Sequence, residues 1–473
     1  MSLIKNTSIY TIGALLPNIG AFIFLPIYLK YLSPSEYGIV SSLHVLNAVL
    51  VVLFTLSLPR ALYRVYYDYK SDSDKKVLMG TVFISVLVIA TISVVLLFLF
   101  KNQVQNIYKS ISFFPYFSYA ILIVFIQAFH VIPSVFLQIK EKSITFISLS
   151  VSLFFFKSIL ILWFIIIAKK GAVGYLEAEL IAAFIFLPIY YSFIYKNLIL
   201  TWNFKIFKNI MFFSLPLIPS FLSAWILNLS DRIFIERYFN TEEVGIYSLG
   251  YKIAGLVLIF SMAFKKAYDP YFYKIANTEN KQIATQKLYK ANYVFIVVII
   301  LASFFISFFA KEGIVIFFDQ RYYAAINIIP IISLAYLVSQ NSALLNVMMY
   351  QEKKTKIVMY ITIISALINI GLNFLLIPIM GIYGAAWATV ISFFSIFIFS
   401  YFLAKKAFFI PFNWKGIAPL LLILGTIYCL FYFVNIDDIY ISLLIKVLTI
   451  LLIGMVLFYK YKTVIYSIIK LKK

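Results

Sequence analysis

Cysteine, histidine and charge are all scarce in this chain. The single cysteine, Cys429, lies inside an apolar run, so an intramolecular disulfide is excluded. With only two histidines, His44 and His130, a His/Cys metal cluster is excluded as well. Charged residues make up 12% of the 473, against about 25% in a soluble domain. No Walker A sequence is present, and no catalytic constellation appears. The two histidines stand in different apolar runs, each without a carboxylate nearby in sequence. The residues of nucleotide hydrolysis and of acid–base catalysis are therefore lacking, and the chain reads as a non-enzyme without cofactor or metal. MSLIKNTSIY leads straight into a full-length apolar run with no small-residue cleavage site, so no cleavable signal peptide is expected.

What fills the chain is hydrophobic surface. Hydrophobic residues are 63% of the total, and the mean hydropathy is +0.99. Apolar runs long enough to cross a bilayer as helices recur throughout. The alternation of a membrane barrel is missing, so the expected class is an all-α polytopic membrane protein. Fourteen spans are read at about 7–30, 37–58, 77–100, 113–138, 143–168, 174–195, 209–236, 244–264, 291–310, 324–350, 357–379, 382–404, 417–434 and 440–459. With the N-terminus inside, most Lys and Arg fall in the even-numbered connections and the tails. Only Lys30, Lys101, Lys109, Lys169, Lys170, Arg237, Lys311 and Arg321 fall on the other side. That asymmetry places both termini in the cytoplasm. It also accounts for the formal charge of +22 without a nucleic-acid partner. The outer connections are short, and the longest, around 311–323, leaves no room for an extracytoplasmic domain.

The sequence restarts halfway. YLSPSEYGI (Tyr31 to Ile39) aligns with YFNTEEVGI (Tyr238 to Ile246), with Tyr31/Tyr238, Glu36/Glu243, Gly38/Gly245 and Ile39/Ile246 identical. Glu141-Lys142 parallels Glu352-Lys353, and GAVG from Gly171 parallels GIYG from Gly381 at nearly the same offset. Two six-helix lobes in register follow, both pointing the same way and related by a pseudo-two-fold axis along the membrane normal. The expected division is residues 1–204 for the N-terminal lobe and 205–406 for the second. Residues 407–473 hold two further helices and a basic tail. Glu36 and Glu243 look like site carboxylates, but Ser33-Pro34-Ser35-Glu36 and Asn240-Thr241-Glu242-Glu243 have the order of a helix cap.

Charge inside the spans is the functional signal, because an ionisable residue there faces a cavity or a partner. Lys157 lies 15 residues past Lys142, about 22 Å along the helix and near mid-membrane. Asp231 and Arg232 lie in span 7, and Lys252 lies at similar depth in span 8. Adjacent helical residues point about 100° apart, so Asp231 and Arg232 are expected to need separate partners. His44, in span 2, has Tyr251 as its repeat equivalent. Arg60 and Arg64 close span 2, with Lys265 and Lys266 at the matching end of span 8; two of only five arginines stand at this inner mouth. Lys446 is expected to snorkel to the outer surface. Glu177 and Glu179 read as helix-start carboxylates, and His130 as uninformative. The segment 265–290 reads as an amphipathic helix lying on the inner membrane surface.

The chain resembles the polysaccharide-export (Wzx-type) flippases of the multidrug/oligosaccharidyl-lipid/polysaccharide exporter superfamily. The resemblance is carried by LPIYLKYLSPSEYGI, LPRALYRVYY (Leu58 to Tyr67), NLSDRIFIERYFNTEEVGIYSLGYKI and GIYGAAWAT (Gly381 to Thr389), and it spans the whole chain. It implies two six-helix bundles around a cationic cavity in a bacterial plasma membrane. It also implies translocation of undecaprenyl-pyrophosphate-linked oligosaccharide, an O-antigen or capsule precursor, from the cytoplasmic to the outer leaflet. Membrane lipids, a polysaccharide polymerase and a chain-length regulator are the implied partners. Arg64, Asp231 and Arg232 match the family's pattern by position, whereas the arginine set of the lipid II flippases is not matched. On this reading Arg60, Arg64, Lys265 and Lys266 capture the pyrophosphate, and Lys157, Arg232, Lys252 and His44 hold it. Asp231 responds to a proton or sodium gradient. Two alternatives stay open: a cation-coupled drug antiporter of the same superfamily, and an oligosaccharide polymerase or ligase.

Overall fold

A computed structural model of the protein describes residues 3–434 and 436–470. Every regular element among them is helical. Lys472 and Lys473 of the basic tail lie outside the described residues.

The first lobe comprises α1 (Leu3–Tyr31), α2 (Pro34–Thr55), α3 (Asp72–Leu99), α4 (Phe113–Ile139), α5 (Ser143–Ile167) and α6 (Gly171–Ser192). The second lobe opens with α7, which runs Phe204–Ser214, bends by 41°, continues as Leu217–Leu229 and ends as Asp231–Tyr238. It continues with α8 (Thr241–Thr278), α9 (Lys281–Phe308) and α10 (Ile328–Gln351). The helical stretch Thr355–Ala404 is two helices, because Gly381 takes φ +58° and ψ −138°. The chain doubles back there, and Ser395 Oγ donates to Ser365 Oγ at 2.8 Å. These are α11 (355–380) and α12 (382–404). α13 (Trp414–Phe433) and α14 (Ile439–Lys470) complete an all-α membrane fold of two six-helix lobes and two additional helices. An even number of crossings puts both termini on one face, called here the termini face.

Two large cores follow the lobes, with Leu25, Leu29 and Tyr37 joining the second and Ile206 and Ile210 joining the first. Val40, Leu62, Phe117 and Val124 belong to the first, and Phe272, Phe295, Ile332 and Leu344 to the second. Lipid is as apolar as leucine, so helices in a membrane associate through close backbone approach and polar contacts. The repeated turns supply both. Ser33 N donates to Glu36 Oε2 at 2.9 Å and Glu36 N to Ser33 Oγ at 3.2 Å, closing a capping box at the start of α2. At α8, Glu243 N donates to Asn240 Oδ1 at 2.9 Å. The two capped helices cross each other away from the termini face. A Cβ added to Gly38 falls 1.6 Å from Thr241 O, and one added to Gly245 falls 2.0 Å from Pro34 O. Both glycines of the repeated turn are thus where the lobes touch. Ser41 Oγ, 207 residues from its repeat equivalent Ser248, donates to it at 2.6 Å. The pseudo-two-fold axis runs through this crossing.

Two expectations are corrected. No separate surface helix spans 265–290. The second part of α8, Val257–Thr278, runs on through Lys265 and Lys266, and α9 restarts at Lys281 with Asn280 capping Ile283 N. The amphipathic stretch is therefore the extension of two spans beyond the apolar region. Lys446 does not snorkel. Its Nζ lies 2.9 Å from the Glu312 carboxylate and donates to Phe308 O at 2.7 Å, with side chains 9% and 1% exposed. The reason is a short helix, Ala310–Phe317, folded back against α14, which brings a buried carboxylate to the lysine. Removing one partner of such a pair leaves a buried uncompensated charge. Lys446→Met is expected to destabilise the protein by about 3–5 kcal/mol, and Lys446→Met with Glu312→Leu by much less. Thermal unfolding in detergent measures the difference.

Candidate functional site

Below the α2–α8 crossing the lobes part around a cavity of about 460 Å³, within the usual range for ligand sites. α2 contributes Ser41 and His44, α7 contributes Asn228 and Arg232, and α8 contributes Ser248, Tyr251 and Lys252. Phe22 of α1 and Met262 of α8 complete its apolar edge. Three residues singled out from the sequence, His44, Arg232 and Lys252, thus share one wall. They come from three helices because the repeat puts α2 and α8 side by side.

Arg232 enters this wall already paired. Its Nη1 donates to Asp231 Oδ1 and to Asn228 O, each at 2.7 Å, and its guanidinium lies 4.2 Å from the Tyr251 ring centre. The expectation that neighbouring Asp231 and Arg232 cannot pair is overturned. α7 is interrupted at Ser230 and Asp231 begins a new helical segment. The carboxylate accepts the Arg232 backbone N–H at 2.9 Å, and the long arginine arm reaches back to the same oxygen. Tyr247 donates its hydroxyl to the other Asp231 oxygen. Both charges are buried, at 5% and 2% exposure. α11 packs on this part of α7 through Phe374 on Phe234, 4.8 Å between ring centres. On α11, Asn373 Nδ2 donates to Asn369 Oδ1 at 3.1 Å, leaving Asn369 Nδ2 and Asn373 Oδ1 buried without a partner.

Lys157 is held by a residue that the sequence reading passed over. Its Nζ donates to Glu179 Oε1 at 2.9 Å, and the other oxygen, Oε2, lies 3.0 Å from His44 Nε2. The helix-start reading of Glu179 is corrected: α6 begins at Gly171, so Glu179 sits more than two turns inside it. Only Glu177 stays near the edge, 2.7 Å from Lys170. The signal was present. Glu179 lies about 12 Å along α6 from its start, and Lys157 about 15 Å along α5 from its end at Ile167, so the two are level. His130 is buried against Tyr190, 5.0 Å between ring centres, away from the cavity.

Lys252 differs from all of these. It is exposed to the cavity and forms no ion pair among the described residues. It lies near enough to Lys157 for the two ammonium groups to repel. The mouth residues are spread along the termini face. Arg60 stacks on Phe221 at 3.8 Å. Arg64 pairs with Asp68 and lies 5.7 Å from the Phe213 ring centre. Lys265 and Lys266 stand on α8 about 20 Å beyond Lys252, Lys265 half-buried and Lys266 exposed. The wall therefore carries one uncompensated ammonium group and offers acceptor-seeking donors to an anion.

Comparison with known proteins agrees with this architecture. The family model described as polysaccharide biosynthesis protein matches residues 3–276, and the MatE model matches residues 216–375. The Lsg locus protein 1 of Haemophilus influenzae is 24% identical over 425 residues, covering 86% of this chain and 99% of its own. The capsular polysaccharide biosynthesis protein CapF of Staphylococcus aureus is 27% identical over 277 residues, covering 57% of this chain and 69% of its own. Among solved structures, the lipid II flippase MurJ in an inward closed conformation superposes with a TM-score of 0.75 at 16% identity, over 95% of this chain and 99% of that one. An inward-facing multidrug resistance MATE transporter gives 0.63 at 14% identity, over 86% and 94%. At these identities the structural likeness is one of fold.

Proposed function

The chain belongs to the polysaccharide biosynthesis protein family of membrane transporters, and from that premise we propose that it moves undecaprenyl-pyrophosphate-linked oligosaccharide repeat units across the bacterial plasma membrane. The termini face is cytoplasmic on the positive-inside rule. Arg60, Arg64, Lys265 and Lys266 meet the diphosphate at that face. Lys252 holds it in the cavity, with His44, Lys157 and Arg232 around it, while the polyprenyl tail stays in the bilayer. The observation that carries this reading is the unpaired Lys252. A cation left uncompensated in a low-dielectric cavity is costly, and an anionic headgroup relieves the cost. Release on the outer side requires the α2–α8 crossing to open, as in alternating access. Asp231, buried and held by Arg232 and Tyr247, is the candidate for coupling to a proton or sodium gradient. A polymerase and a chain-length regulator would take the product.

Proteoliposomes loaded with a lipid-linked oligosaccharide test this reading. The protein should move the glycan to the opposite leaflet, and no movement across a range of ion gradients would count against it. The drug-antiporter alternative draws on the MatE match. A cationic drug would meet a cavity lined by Arg232 and Lys252 and, among the described residues, by no carboxylate, so drug susceptibility should not change on deletion. One variant needs care. Arg232→Gln strands the buried Asp231 charge, so it should lower the thermal midpoint by several degrees and reduce membrane abundance. Lys252→Gln, which breaks no ion pair among the described residues, removes cavity charge without that penalty, and should depress transport while the protein stays in the membrane.

A further inference from the structure

Three ion pairs lie within the spans among the described residues, and one is built differently. Arg232–Asp231 and Lys446–Glu312 are buried on both sides, at 5% and 2% and at 9% and 1%. Glu179 is 4% exposed, yet its partners Lys157 and His44 are 32% and 42% exposed. The carboxylate stands behind and the nitrogens stand in front. His44 lines the cavity and Glu179 does not, so a ligand there meets the His44 nitrogen before the carboxylate, whose other oxygen holds Lys157.

We propose that Glu179 competes with the substrate's diphosphate for Lys157 and His44, and so limits how tightly the headgroup is held. This rests on the substrate reading above. Both carboxylate oxygens are engaged, one per partner. The three residues come from α5, α2 and α6, and α2 is the helix that also crosses α8. The His44 ring is steered by Tyr175, edge-on at 5.8 Å, which in turn packs on Tyr28 at 5.9 Å. Its Nε2 is thereby aimed at Glu179. A diphosphate offers the same acceptor chemistry with more charge, so it can draw both nitrogens forward. Loosening a buried carboxylate from its partners costs free energy, and that cost is subtracted from headgroup binding. A transporter gains from this, because a site must bind well enough to load and weakly enough to empty. Glu179 is a positioning residue on this account. It acts through Lys157 and His44 and does not touch the substrate.

The test uses the full chain in lipid nanodiscs, with geranylgeranyl diphosphate as the binding probe and lipid-linked oligosaccharide transport as the second readout. Glu179→Gln should tighten probe binding about tenfold, the order expected for removing one charge near the site. It should lower KM and also kcat, because release slows. In a Lys157→Gln background the same substitution should change affinity less than about twofold, since coupled residues give non-additive effects. Glu179→Asp, which keeps the charge one methylene further back, should tighten binding by a smaller factor. A folded Glu179→Gln protein with unchanged or weaker affinity overturns the proposal. So does equal tightening in the Lys157→Gln background, or weaker binding by Glu179→Asp. A wild-type protein that does not bind the diphosphate removes the substrate reading and this proposal together. A wild-type protein that binds, beside a variant that does not differ, removes this proposal alone.

Discussion

Lys252→Gln is expected to slow repeat-unit transport at least about thirtyfold, with the protein's abundance and thermal stability unchanged or raised. The size follows from one charged hydrogen bond to the headgroup, worth about 2 kcal/mol when lost. The second half of the prediction sets it apart from an ordinary loss of function. Lys252 pairs with no carboxylate among the described residues, so neutralising it relieves a cost instead of creating one. Lys252→Arg keeps the charge and should retain most of the transport. Initial rates in proteoliposomes, read beside a melting curve of the same preparation, check both halves. An Lys252→Gln protein that melts early would mean that the ammonium has a structural role.

Joining Ser41→Cys to Ser248→Cys by a disulfide, in a Cys429→Ser background, is expected to stop transport until a reductant is added. The two hydroxyl oxygens are 2.6 Å apart, and neighbouring glycines already hold the backbones in contact, so the geometry of a disulfide is within reach. The bond would pin the lobes where the repeat axis passes between them. Alternating access requires that contact to separate, and a covalent link forbids it. Arrest in the oxidised state with recovery on reduction is the expected pair of rates. Full transport with the bond formed would mean that the crossing is a fixed hinge. Other contacts on this face would also have to yield, among them Tyr322 to Leu32 O at 3.1 Å and Lys109 N to Glu236 at 3.0 Å.

What sequence could show and what it could not divide along the range of the interactions. Helix number, helix caps and the repeat are local or periodic features. Ser33 and Glu36 sit three residues apart, and the hydropathy of each span is its own. The charge of Lys252 was legible because depth can be counted along one helix. Partner choice was not, because it depends on helices far apart in the chain. Glu179 meets Lys157 from 22 residues away and His44 from 135. Lys446 meets Glu312 from 134. The Asp231–Arg232 contact was misjudged for a different reason. The 100° argument holds within a regular helix, and α7 is interrupted at Ser230. The stretch 265–290 has the same amphipathic pattern whether it lies along a membrane or stands clear of it. Helix continuity through Thr278 and the Asn280 cap decide that, and neither follows from periodicity.

The central claim is that this chain carries a lipid-linked oligosaccharide from the inner to the outer leaflet. Depleting the protein from growing cells and locating the lipid-linked single repeat units by sided labelling tests it most directly. The account predicts that units accumulate on the cytoplasmic leaflet, and that wild-type protein clears them while Lys252→Gln does not. Units that reach the outer leaflet and remain unpolymerised would contradict it.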